Sequence, residues 1–302
     1  MNTDRPVLHA LWRHAVDVLR PAATPARPAV LRLGTGAFAA WNGWRRRGMV
    51  RDLHRQDARR FEPVGVVKVL QRPLAPRVAD GLFDAAQAVN ALATLGVAHR
   101  VTGPVNAALQ LWTLTYRNSW GMLYHNDNML LMHQMVLGAA PSADALSVDA
   151  LVRGRGLAPA VLERRYGGVA PMVNATTCVV YLISGVAKVR SDLGVKWAGG
   201  DVLRGQIAID GLRKELFGGT RPAAADLLRD RDGLFTLMAA VALAVELGAP
   251  LSLLDRRAGR VFALAAWGMH VGIRVVMGIR FTYNTSGVSY LGYVPVGPQL
   301  PR

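Results

Sequence analysis

Two long stretches without a single Asp, Glu, Lys or Arg, residues 166–187 and 281–301, interrupt a chain that otherwise carries charge throughout its length. A helix needs about 20 consecutive apolar residues to cross the hydrocarbon core of a bilayer, so both stretches qualify on length. Further runs qualify with an interruption. Residues 233–254 contain only Glu246, residues 261–281 contain Arg274 and Arg280, and residues 78–98 hold Asp80 and Asp84 near their start. Residues 101–116 and 128–143 are neutral but short, and residues 29–43 are short and broken by Arg32. The pattern predicts an all-α, polytopic integral membrane helix bundle of six to eight transmembrane helices. The alternative is a soluble all-α protein with buried helices, but a soluble helix shows a polar stripe that these runs lack.

The charge balance fits the same picture. The chain of 302 residues has 36 Lys and Arg against 20 Asp and Glu, a net charge of +16, yet 51% of it is hydrophobic. A nucleic-acid binder would gather its basic residues on one face beside stackable aromatics or a reading motif. Here they gather instead between the neutral runs, at Arg45–Arg47 with Arg51, Arg55, Arg59 and Arg60, at Arg153, Arg155, Arg164 and Arg165, and at Arg256, Arg257 and Arg260. Such clusters favour the cytoplasmic side, so no nucleic-acid partner is expected and the bilayer is. Residues 1–28 have no continuous apolar core of a cleavable signal and are expected to form a basic cytoplasmic arm, with residues 29–302 as the membrane domain of a multi-pass cell-membrane protein. The single cysteine, Cys178, lies in an apolar run and packs as a small hydrophobe. The chain shows no GxGxxG ahead of a helix, no P-loop, no GxSxG and no CxxC.

Ionisable groups at membrane depth normally face the bundle interior and have a partner or a task. They are few: Glu246, His270 and Arg274, Lys188 at the end of VVYLISGVAK, and His125, Asp127 and His133 in a polar patch. Tyr181, Ser184 and Lys188 recur at i, i+3 and i+7, one helical face, which suggests a lined cavity. Lys188 either snorkels to the headgroups or is desolvated and acts as a base. The rarity of lysine, four against 32 arginines by subtraction from the 36 basic residues, favours the second, because arginine does not give up its proton. Asp127 fits a helix N-cap and His125 a second acid–base group. Glu246 and Arg274, with His270 one turn before Arg274, are expected to form a structural polar network with Glu246 and Arg274 in contact. His125 and His133 are eight apart, unlike a strong metal spacing, and no metal is expected.

VVYLISGVAKVRSDLGVKWAGG resembles the signature of the HTTM (horizontally transferred transmembrane) family, the membrane domain related to vitamin K-dependent gamma-carboxylase. There an apolar helix with a Tyr, small residues and a Lys leads into Trp-x-x-Gly, here Tyr181, Ser184, Gly185, Lys188, Trp197 and Gly200. The stretches FEPVGVVKVLQRPLAP, YHNDNMLLMHQMVLGAAPSADALSVDAL, ELGAPLSLL and WGMHVGIRVVMGIRF resemble further family segments in the same order, so the resemblance covers residues 31–295. It implies Lys188 as the base that deprotonates a reduced quinone similar to vitamin K hydroquinone, with Tyr181, Ser184, Asn126 and Trp197 lining the quinol site. It also implies quinol-linked oxidoreductase or carboxylase (lyase) chemistry on an amphipathic or quinone-like small molecule. The Lys188-to-Trp197 spacing is a few residues longer than in the carboxylase, and the carboxylase's assisting histidine aligns with Asn126, one place after His125. No large extramembrane domain follows the membrane domain, so carboxylation of protein glutamate is not expected. The competing functions are a non-catalytic membrane scaffold or partner subunit and a transporter, the latter without visible inverted repeats.

Overall fold

The computed structural model describes residues 12–295 apart from 14, 15, 18, 155, 229 and 230, together with the backbone but not the side chain of His125. Much of the expected N-terminal arm, and Arg155 of the second arginine cluster, lie outside the described residues. Among the described residues there is no strand, only an isolated bridge between Ala23 and Glu163. The longer helices are α1 (Ala26–Leu53), α2 (Pro76–Leu95), α3 (His99–Asn118), α4 (His125–Ala139), α5 (Val169–Val189), α6 (Asp201–Leu216), α7 (Asp232–Leu247) and α8 (Arg256–Met277). The chain divides into two compact units, one comprising Asn174–Tyr293 and the other the residues on either side of it.

In the first unit α1 packs on α2 and α4, and α3 on α2 and α4. Small residues set the spacing: a Cβ built on Gly103 of α3 would lie 2.6 Å from the carbonyl oxygen of Gly138 on α4, so the two backbones all but touch. Buried amides cross the bundle. Asn90 Nδ2 donates to Gly36 O at 3.0 Å, and Gln134 Nε2 donates to Asn90 Oδ1 at 2.9 Å. Arg32 is 4% exposed, and its guanidinium donates to Thr94 O at 3.0 Å, to Leu146 O at 2.6 Å and to Ser142 O. The residue that appeared to break the run 29–43 thus joins α1 to the end of α2 and to the loop after α4. Helix α1 is also longer than that run, because it continues through Arg45–Arg51. Arginine is a good helix former, so these charges sit on the helix rather than in a loop as expected.

In the second unit, Asp255 caps α8 by accepting from the Arg257 amide at 2.6 Å and the Ala258 amide at 3.0 Å, and these bonds, that from Ala258 foremost, hold its carboxyl below the ordinary range. Gly278 ends the helix at φ 65°, a conformation that favours glycine. After Phe281 the chain makes a short helix, Thr282–Thr285, and a 3-10 turn, Val288–Tyr293. The turn is tied to the start of the unit, where Asn174 Nδ2 donates to Gly292 O at 3.1 Å and Tyr293 donates to Asn174 O at 3.2 Å.

Two helices are long and apolar enough to cross a membrane, Arg164–Val189, which includes α5, and α8. Their most apolar windows are 39% and 28% buried, and Ile183, Val261 and Leu264 are each more than 60% exposed on this chain. Two expected spans are corrected. Residues 281–301 do not form one long helix: the described part is the short helix and 3-10 turn. Residues 233–254 are divided, because α7 stops at Leu247 and Ala249–Leu253 is a 3-10 turn containing Pro250, whose nitrogen has no proton to continue the ladder.

Candidate functional site

The site is built on the last two turns of α5. Gly185 is buried there, and a Cβ added to it would lie 2.9 Å from Glu246 Cβ and 3.0 Å from Leu247 Cδ2. The absent side chain lets α7 approach, and one turn further on Lys188 Nζ donates to both carboxylate oxygens of Glu246. Glu246 is 8% exposed at the side chain and Lys188 24%, so the carboxylate is buried and the amine reaches the edge of the unit. The Trp197 ring covers the amine, with Nζ 4.7 Å from the ring centroid. Trp197 is held by the 3-10 turn Gly194–Gly199, which is pinned to α7 by Thr236 Oγ1 donating to Gly199 O at 2.7 Å.

Two turns back, Tyr181 belongs to a different cluster. Its hydroxyl lies 2.5 Å from that of Tyr290 and 3.2 Å from His270 Nδ1, and Asn284 Nδ2 donates to it at 3.3 Å and to Tyr290 at 3.1 Å. All four are buried. His270 Nδ1 also approaches Ala266 O at 2.9 Å, the carbonyl one turn earlier on α8.

The expected polar network therefore comes apart. Glu246 pairs with Lys188, not with Arg274; His270 joins Tyr181; and Arg274 is exposed on α8, with no ion pair among the described residues. The physical reason is the close approach at Gly185, which brings the end of α5 against α7 and so Lys188 onto Glu246. Ser184 is corrected too. It is exposed and donates to Val180 O of its own helix at 3.1 Å. At about 100° per residue it sits about 60° from Tyr181, whereas Lys188 sits about 20° away, so the shared face is narrower than the i, i+3, i+7 pattern implies.

Asn126 is buried in the first unit and donates to Asp127 Oδ1 at 3.1 Å, while Lys188, Tyr181 and Trp197 are in the second; the side chain of His125 lies outside the described residues. Asp127, expected as an N-cap, instead lies within the first turn of α4. Its Oδ2 is 2.6 Å from Arg46 Nη1 and 2.7 Å from Arg117 Nη2. Sequence reasoning missed this cluster, since Arg46 was grouped with loop charges and Arg117 stood just beyond a neutral run. The available signal was an aspartate and an arginine bracketing a short polar turn between two neutral helices.

Compared with family models, curated proteins and solved structures, the chain matches none of them.

The pair makes a testable contribution to stability. Glu246→Gln leaves the ammonium without its counter-charge and is expected to cost about 2 kcal/mol, less than a fully buried pair because Lys188 is partly exposed. The double variant Glu246→Leu with Lys188→Met is expected to recover most of that loss, measured as Tm in detergent in a double-mutant cycle.

Proposed function

We propose that this chain is a multi-pass, HTTM-like membrane protein of six to eight crossings that binds an amphipathic, quinol-like small molecule and takes a proton from it with Lys188. The observation that carries the reading is the Lys188–Glu246 pair under Trp197, at the end of an apolar helix long enough to span a bilayer. The uncovered apolar surface of α5 and α8 supports the membrane part of the reading, since a soluble core helix would hide it. The shorter helices of the first unit complete the crossings in this proposal.

The chemistry follows from the pair. Lys188 first gives its ammonium proton to water at the edge of the unit; the amine so formed takes the hydroxyl proton of a bound quinol, the quinol oxygen keeps the electron pair as an anion, and the adjacent Glu246 carboxylate stabilises the ammonium that returns. Trp197 covers one side of the amine and adds an apolar wall to the site. Tyr181 sits too deep to touch the same proton and instead fixes α5 against α8 through His270 and Tyr290.

The test is consumption of a reduced quinone by the purified protein in lipid nanodiscs. Lys188→Arg keeps a cation opposite Glu246 but supplies no base, so the rate is expected to fall about 100-fold or more with Tm little changed. Wild-type turnover in that variant would remove the base role. A second reading, a non-catalytic scaffold, is favoured by the same ion pair acting as a clamp between α5 and α7. On that reading, partner binding survives in the double variant Glu246→Leu with Lys188→Met.

A further inference from the structure

Three charged side chains meet at one end of the first unit: Arg46 from α1, Arg117 from the last turn of α3 and Asp127 from the first turn of α4. Their side chains are 15%, 11% and 6% exposed, and both guanidinium groups converge on the same carboxylate oxygen. Among the described residues, one carboxylate against two guanidinium groups leaves one positive charge without a counter-ion in a largely dry place, which is costly unless something neutralises it. The Tyr124 ring, 4.7 Å from the Arg46 guanidinium carbon and 5.3 Å from that of Arg117, offsets only part of it. The donor inventory points the same way. Among the described residues, buried Nε of Arg117 has no hydrogen-bond acceptor, and Nη2 has its ion-pair contact without a directed hydrogen bond.

These groups open onto a small pocket of about 70 Å³, well below the size that encloses a whole organic ligand but of the order of a carboxylate or phosphate headgroup whose chain leaves through the mouth. Beyond the charges its wall is mixed. Gln87 and Gln110 supply amides, and Phe83, Leu114 and Leu131 make an apolar side.

We propose that this pocket binds a monoanionic headgroup, a carboxylate or a phosphodiester, carried on an apolar chain. Arg117 and Arg46 take the charge and the apolar wall takes the first part of the chain. The inference is independent of the Lys188 reading: it concerns different residues in the other unit and needs no chemistry at Lys188. The ligand is either a free amphiphilic carboxylate or an anionic bilayer lipid, which share this headgroup charge.

The test is equilibrium binding to the full chain in a neutral maltoside detergent, using radiolabelled laurate in one arm, phosphatidylglycerol in the second and dodecanol, the uncharged analogue of laurate, in the third. Saturable binding of laurate or of phosphatidylglycerol, with dodecanol at least about 30-fold weaker, is the expected result, and which anion binds identifies the source. Two variants move in opposite directions. Arg117→Gln is expected to weaken anion binding by on the order of 30-fold or more, and Asp127→Asn, which removes the competing carboxylate, is expected to strengthen it by about 10-fold. A general folding defect would weaken both, so the opposite signs separate a binding site from a structural cluster. No saturable anion binding, equal binding of dodecanol, or loss of binding in an Asp127→Asn protein with wild-type Tm overturns the proposal.

Discussion

Arg32→Met is expected to destabilise the protein by about 3–5 kcal/mol, the cost of leaving several buried acceptors without their charged donor. Three carbonyls from two segments, Thr94 at the end of α2 and Ser142 and Leu146 in the loop after α4, point at this one guanidinium. Methionine fills much the same volume but offers them no donor. Asp149 is part of the same arrangement, because it supplies favourable charge to Arg32 and accepts from the Ala98 and His99 amides at 2.8 and 2.9 Å, capping the start of α3. Losing Arg32 is therefore expected to loosen the α2–α3 turn as well. The check is Tm in detergent, with hydrogen exchange over residues 94–100 as the local readout. Arg32→Lys is expected to recover less than half of the loss, since a single ammonium on a flexible stem does not reproduce the planar fork. A variant Arg32→Met with wild-type Tm would show that water satisfies the three carbonyls and that the arginine is dispensable.

Gly200→Ala is expected to cost about 3–5 kcal/mol and to disturb the Lys188 site from a distance. Gly200 has φ 97° and ψ −17°, a conformation that alanine adopts only with strain. A Cβ there would also lie 2.6 Å from the carbonyl carbon of Phe235 and from Thr236 N, backbone atoms of α7 that are unable to step aside alone. Relief of the clash moves the turn carrying Trp197 away from α7 and so away from Lys188 Nζ. Tm reads the stability change, and the tryptophan emission spectrum, with Trp197→Phe as the subtraction, reads the shift of that ring. An unchanged spectrum with a lowered Tm would mean that the turn adjusts without uncovering the amine. Gly199, by contrast, has open space where a Cβ would go, so Gly199→Ala is the control with little expected effect.

The sequence by itself determined the all-helical class and located most helices, because long runs free of charge are a local property of the chain, although the run 233–254 reads straight through Pro250, which divides it. It also singled out Lys188, since a lysine at the end of an apolar run in an arginine-rich chain stands out by composition alone. The partners of that lysine were a different matter. Glu246, His270 and Arg274 were legible as buried polar candidates, yet their grouping was wrong, because spacing along a helix gives the angle of a side chain about its own axis and says nothing of which helix faces it. Close approaches at Gly185 and Gly200 made those choices, and the sequence shows a glycine without showing the backbone or side chain that needs the room. The same holds for Arg32 and for the Arg46–Asp127–Arg117 cluster, where charges that composition assigns to loops or caps are buried together. Local propensity is written residue by residue, whereas the pairing of charges depends on the distance between helices, which packing alone decides.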